Sequence, residues 1–210
     1  MLFVIIWNCY PIDEAERQEK MKKGTFGYID AYKKRYGLFS LLLAVVIIAA
    51  AIAVYLIFGT VKHVAILIPV ILSLPFAKIL ILWIVVVKFH SMKKEEQEEI
   101  EKQLEGRSNC IILYDMALSS YEAISFTPCM VIDQGNVYLL WGGSNDKKYD
   151  ADKQKEYVQG IIEKTGYDYY ASTVNSVQEL VDTVVSAPIL EEDLSIKCDR
   201  LKQRMLDVCV

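Results

Sequence analysis

From residue 38 to residue 58 the chain reads LFSLLLAVVIIAAAIAVYLIF, a run without charge whose only small polar side chain is Ser40. About 20 apolar residues in a helix cover a hydrocarbon core about 30 Å thick, so the run predicts a membrane-spanning helix over 38–58. A second run, Val64 to Val87, is equally long and is interrupted only by Pro69, Ser73, Pro75 and Lys78. It predicts a second span over 64–88. Residues 59–63 between them hold a turn and nothing more, so the two spans form an antiparallel helical hairpin.

Beyond the hairpin the pattern changes. KKEEQEEIEKQLEG reads as a solvated stalk helix within 89–106, its apolar face reduced to Ile100 and Leu104. Apolar runs at 110–118, 124–133 and 136–141 predict three strands, with Gln134-Gly135 turning the last two into a hairpin. A helix follows, capped by Asp150 or a neighbour and presenting Tyr157, Val158, Ile161 and Ile162, and stops at Gly166. Residues 167–174 predict a fourth strand. Ser176 and Glu179 make a capping box for a helix carrying Val177, Leu180, Val181, Val184 and Val185, and Pro188 opens a last amphipathic helix. The expected fold is a transmembrane hairpin plus a small cytoplasmic α+β domain over 107–210, with element order α-β-β-β-α-β-α.

Charge orients the hairpin. Lys33, Lys34 and Arg35 precede the first span and Lys88, Lys93 and Lys94 follow the second, whereas the connecting loop has only Lys62. The positive-inside rule then puts both termini in the cytoplasm of a multi-pass cell-membrane protein. Tyr28, Tyr32 and Tyr36 form an aromatic belt at the entrance, within a cytoplasmic N-terminal segment 1–37. LFVIIW at residues 2–7 lacks a basic flank and is too short for a signal-peptide core, and Met21 is an alternative translation start.

From residue 88 onward there are 14 Lys and Arg against 22 Asp and Glu. A net charge of −8 disfavours binding to phosphate backbones, so no nucleic-acid partner is expected. The expected partners are the lipid bilayer and either a membrane protein or further copies of the chain. Cys9, Cys110, Cys129, Cys198 and Cys209 are odd in number with no C-x-x-C pair, as for reduced thiols. His63 and His90 fall at opposite ends of the second span, so neither a metal site nor a cofactor is expected.

Two features carry candidate chemistry. Lys78 lies ten residues before Lys88, about 15 Å inside the boundary. An intramembrane cation marks a functional or partner-contact position unless local groups absorb it. Such groups are Ser73, Ser40, or carbonyls freed by Pro69 and Pro75 near Ala65 and Ile71. Small residues at Ser40, Ala44, Ala49 and Ala53 allow close helix packing. The second feature is the polar cluster Tyr114, Asp115, Ser119, Ser120, Tyr121 and Glu122, on a predicted strand and its exit. A nucleophile there has no histidine base nearby except His90, so turn and strand-end hydrogen bonding competes with a ligand site. WGGSN lacks P-loop spacing and reads as a turn.

The element order resembles restriction-endonuclease-like domains, including nuclease-related domains of bacterial membrane proteins. That resemblance implies two carboxylates and a lysine around a metal; through C-M-V-I and Gly135 these positions fall on Pro128, Trp141 and Gly143, so the implied relative is catalytically dead. The chain is also similar to uncharacterised bacterial two-span membrane proteins that open with MKKGT-x-GYID, carry L-P-x-A-K in the second span and have Y-D-x-x-L-x-S-Y-E in the domain. Here these are Met21 to Asp30, Leu74 to Lys78 and Tyr114 to Glu122. The resulting expectation is a non-enzymatic anchor or adaptor that presents an acidic domain to a protein partner. The alternatives are a membrane-tethered hydrolase or nuclease-like enzyme using the Asp115 to Glu122 cluster, and an accessory subunit of a transporter.

Overall fold

The computed structural model describes residues 22–59, 64–107, 110–188 and 194–209. The expectations for residues 1–21, for Cys9, and for Lys62 and His63 in the loop lie outside the described residues, as do Ile189 and Leu190. The chain divides into two compact units, a helical one over Ile29–His90 and a domain built from Ser91–Val210 together with the segment ending at Tyr28.

In the helical unit, α1 runs without a break over Tyr28–Phe58, so Tyr28, Tyr32 and Tyr36 belong to the same helix as the apolar run. The Tyr32 and Tyr36 rings stack with centroids 4.0 Å apart. A 3-10 turn at Val64–Ile66 leads into α2, Leu67–Val86. Pro69 sits in the first turn of α2, where its missing N–H costs nothing, and the helix continues through Pro75.

The inward positions of the two helices share one rhythm. Along α1 they are Lys33, Gly37, Ser40, Ala44, Ile47, Ala51 and Val54; along the turn and α2 they are Ala65, Pro69, Leu72, Phe76, Ile79, Trp83 and Val86. Both sets of half-buried or buried positions advance in alternating steps of four and three. Gly37 lies against Trp83, where an added Cβ would stand 2.8 Å from the indole nitrogen, and that nitrogen donates to the Lys33 carbonyl at 3.1 Å. Of the small residues in the first run, Ser40 is buried and Ala44 half-buried, whereas Ala49 and Ala53 are exposed. The outward faces are apolar, with Leu41, Val45, Ile48, Ile52, Ile71, Leu74 and Ile81 all more than half exposed. Both helices are long and apolar enough to cross a membrane, with mean hydropathies of 3.1 and 2.3 over their most apolar windows.

The domain contains α3 (Lys94–Leu104), β1 (Cys110–Ser119), β2 (Ile124–Asp133), β3 (Asn136–Leu140), α4 (Ala151–Glu163), β4 (Ala171–Val174), α5 (Val177–Ser186) and α6 (Ser195–Asp207). The strands make one mixed sheet in the order β1-β2-β3-β4; the first three form an antiparallel meander and β4 runs parallel to β3 across the α4 crossover. Gln134 and Gly135 both adopt positive φ, 52° and 88°, as a two-residue hairpin turn requires. Asp150 caps α4 by accepting from the Lys153 N–H. Ser176 caps α5 by accepting from the Glu179 N–H, while the Glu179 carboxylate reaches back one residue further than expected, to the Asn175 N–H. The last helix begins at Ser195, seven residues after Pro188.

Each face of the sheet has its own core. On one, Leu113, Met116, Met130, Ile132 and Leu139 pack with Val158 and Ile162 of α4 and Leu201 and Met205 of α6. On the other, Tyr114, Cys129, Val131 and Leu140 pack with Ile100 and Leu104 of α3 and Leu180, Val181 and Val184 of α5. The segment expected to be a stalk therefore holds a helix of the domain itself: Ile100 and Leu104 are buried against the sheet. Residues 167–170, expected in the fourth strand, precede it.

Candidate functional site

β1 is the edge strand, and its open side is covered from both ends of the chain. The Tyr114 N–H donates to the Gly24 carbonyl at 2.9 Å, the Ser119 N–H donates to the Val208 carbonyl at 3.0 Å, and Lys23 Nζ donates to the Cys209 carbonyl at 2.5 Å. Covering the edge removes a template for pairing with another chain. It also brings the segment that leads into α1 against the residues of the candidate polar cluster.

The cluster divides into two halves that do different things. Tyr114 and Asp115 are buried. The Tyr114 ring meets Phe26 edge-on at 5.9 Å, and its hydroxyl donates to Glu101 Oε1 at 3.1 Å. Burial pushes its phenol pKa well up, and the negative charge of Glu101 adds to the shift. Asp115 is fully buried and accepts a 2.6 Å hydrogen bond from the Ser91 hydroxyl. Consecutive residues of one strand thus hold the chain just before it enters α1, at Gly24 and Phe26, and just after it leaves α2, at Ser91.

The other half forms a turn. Ser119 uses its backbone only, accepting from the Tyr157 hydroxyl at 2.7 Å. Ser120 Oγ donates to the Ala123 carbonyl and accepts from the Ala123 N–H, closing the turn on itself. Tyr121 is entirely exposed, and Glu122 makes a surface ion pair with Lys153 at 3.5 Å.

WGGSN extends the β2–β3 ladder. The Phe126 N–H donates to the Gly143 carbonyl, the Gly142 N–H returns to the Phe126 carbonyl, and Asn145 caps Ile124. Gly142 lies so close to Pro128 that an added Cβ would stand 2.5 Å from the proline ring. The positions aligned with a nuclease centre, Pro128, Trp141 and Gly143, carry a pyrrolidine ring, an indole and a glycine where that chemistry needs carboxylates and an ammonium. Among the described residues no group of three or more His, Cys, Asp and Glu is arranged to hold a metal ion.

Lys78 is exposed on α2, and no described residue gives it a hydrogen bond or an ion pair. Of the groups expected to absorb it, the two serines bond within their own helices. Ser40 Oγ donates to the Gly37 carbonyl at 2.9 Å and Ser73 Oγ donates to the Val70 carbonyl at 2.6 Å.

Two polar features lay beyond sequence reading. Arg107 and Asp133 form a buried two-pronged ion pair, 2.7 Å at its shorter arm, and the same guanidinium donates to the Val185 and Ala187 carbonyls at the end of α5. Gln154 of α4, fully buried, donates to the hydroxyls of Ser125 and Thr127 at 3.1 and 2.7 Å. An open groove of about 750 Å³ runs along Lys22, Lys23, Ile112, Lys202 and Leu206, with Asp207 as its acidic member. No protein-family model, curated protein or solved structure matches the chain.

Proposed function

We propose that the protein is a membrane-anchored adaptor, in which the α1–α2 hairpin spans the bilayer with both termini in the cytoplasm and the acidic domain is offered to a protein partner. The observation that carries the reading is the outward surface of the hairpin. Its helices bury only 6% of the residues in their most apolar windows, so nearly the whole surface of both is aliphatic and would be costly to expose to water. A soluble core helix is covered by its own protein; these two are not.

The use of Tyr114 and Asp115 supports a binding role over a hydrolytic one. An acid, base or nucleophile has to reach a substrate, and Asp115 is enclosed with Ser91 while Tyr114 is enclosed with Phe26 and Glu101.

Carbonate extraction of membranes containing the full chain with a C-terminal tag tests the anchoring, and protease digestion of inside-out vesicles tests the orientation. The chain stays in the pellet and the domain is digested from the cytoplasmic face. Release by carbonate overturns the reading; retention with the domain protected reverses the topology.

A further inference from the structure

We propose that the outward face of α2 centred on Lys78 docks against a membrane-spanning helix of a different protein that carries an aspartate or glutamate at matching depth. The proposal rests on the hairpin crossing the membrane. Lys78 lies eight residues before the end of α2 at Val86, a depth of about 12 Å. That is beyond easy reach of the interface for a lysine side chain, and an uncompensated cation at such a depth is strongly unfavourable.

Lys78 is exposed and has no hydrogen bond or ion pair among the described residues. Leu67, Ile71, Leu74, Lys78 and Ile81 form an exposed stripe with steps of four and three, on a different side of α2 from the half-buried Leu72, Phe76 and Ile79. Ser40 and Ser73, the two serines within the apolar runs, donate to carbonyls of their own helices. Charge complementarity then selects the occupant. Residues 38–87 contain no Asp or Glu, so a second copy brings another lysine and no carboxylate to this depth. Asp30, the acidic residue nearest the first span, pairs with Lys33 at 2.8 Å. What fits is an apolar helix with the same four-three spacing and one carboxylate opposite Lys78.

The test uses the full chain, fluorescently labelled at its C-terminus, in phosphatidylcholine vesicles with synthetic leucine-rich transmembrane peptides carrying an energy-transfer acceptor. One peptide has aspartate about 12 Å deep, one has leucine there, and one has aspartate at the interface. The deep-aspartate peptide associates about tenfold more tightly than the other two. Lys78→Leu abolishes the difference and Lys78→Arg keeps it. Equal association of all three peptides, or a difference that survives in Lys78→Leu, overturns the proposal. Self-association of the labelled chain that Lys78→Leu abolishes, with no preference for aspartate, assigns the face to a second copy and also overturns it. A chain that fails to insert into the vesicles removes the membrane reading itself, a result distinct from insertion without aspartate preference.

Discussion

Asp115 stands opposite Pro128 in the β1–β2 ladder, where the register passes from Tyr114–Cys129 to Met116–Thr127 without a residue gained or lost. Asp115 has a φ of 53°, and Pro128 has no N–H to offer it. The side chains of both strands change faces at this point. Leu113 and Met116, three residues apart, share one core, as do Met130 and the Thr127 hydroxyl that meets Gln154 of α4. Strict alternation would separate them. The paired disruption turns the Asp115 carboxylate toward Ser91 and lets the upper parts of β1 and β2 present the right sides to α4 and α6.

Substitutions at Asp115 therefore separate backbone from side chain. Aspartate and asparagine tolerate the left-handed region better than other residues with a Cβ. Asp115→Asn keeps the conformation and an acceptor for Ser91, and costs less than about 1 kcal/mol. Asp115→Ala loses the hydrogen bond from Ser91 and the tolerance of positive φ, costing about 3 kcal/mol, and Asp115→Gly falls between them. Asp115→Val is the most damaging. Thermal unfolding of the full chain in detergent gives the order; alanine and glycine variants as stable as asparagine would refute it.

Arg107 and Asp133 join the end of α3, the β2–β3 turn and the end of α5. Both side chains are nearly or fully buried, so removing one leaves the other as an uncompensated charge. Arg107→Met and Asp133→Asn each destabilise by about 3–5 kcal/mol, whereas the double change to Met and Leu costs far less than the two added together. A double-mutant cycle from denaturant unfolding measures the coupling. Additive losses would mean that the pair acts through separate contacts.

How legible these features were depended on their sequence range. The two long apolar helices were plain because each rests on a run of about 20 apolar residues that stands out from the rest of the chain. The Gln134-Gly135 turn and the Asp150 and Ser176 caps were plain because each acts within four residues. The helix 94–104 reads as a stalk because its apolar stripe is only Ile100 and Leu104 among Glu and Lys, yet those two residues are buried and join it to the domain. Tyr114 and Asp115 were visible as a polar cluster, but their partners Gly24, Phe26 and Ser91 lie 24 to 90 residues away, and nothing local predicts those contacts. The face change at Asp115 is hidden for a further reason: CIILYDMAL is apolar on both sides of the sheet, so no alternation is visible to break.

Gly135 and Gly142 should differ in how they respond to alanine. At Gly135 the added Cβ would stand 2.3 Å from the Tyr169 ring, a side chain that can move, and φ is 88°. Gly135→Ala is destabilising, and Tyr169→Ala recovers the steric part while leaving about 1 kcal/mol of backbone strain. At Gly142 the added Cβ meets the Pro128 ring and the Phe126 carbonyl oxygen at 2.5 and 2.8 Å, and neither can withdraw without moving β2. Gly142→Ala is the worse of the two and no single truncation rescues it. Unfolding midpoints of the three variants check the comparison, and a milder Gly142→Ala contradicts it.

The buried thiols make stability fall in alkali. Burial pushes Cys110 up to about 12 and raises Cys129, Cys198 and Cys209 as well, while free cysteine ionises near 8.5. Above about pH 8.5 the unfolded chain releases protons that the folded chain retains, so the unfolded state binds fewer protons and the slope of stability with pH is negative. The thiol contribution is whole below about pH 8.5 and is lost as pH climbs toward the folded values. Tyr114, Tyr138, Tyr149 and Tyr157, all raised chiefly by burial, add to the decline above about pH 10. Denaturant unfolding at pH 7, 8, 9.5 and 10.5 gives nearly equal midpoints for the first two and progressively lower ones after them. Cys129→Ala flattens the fall between pH 8.5 and 10, and native-state alkylation at pH 8.5 spares Cys129 until the chain unfolds. A midpoint that stays level to pH 10.5, or prompt labelling of native Cys129, contradicts the burial on which the sign rests.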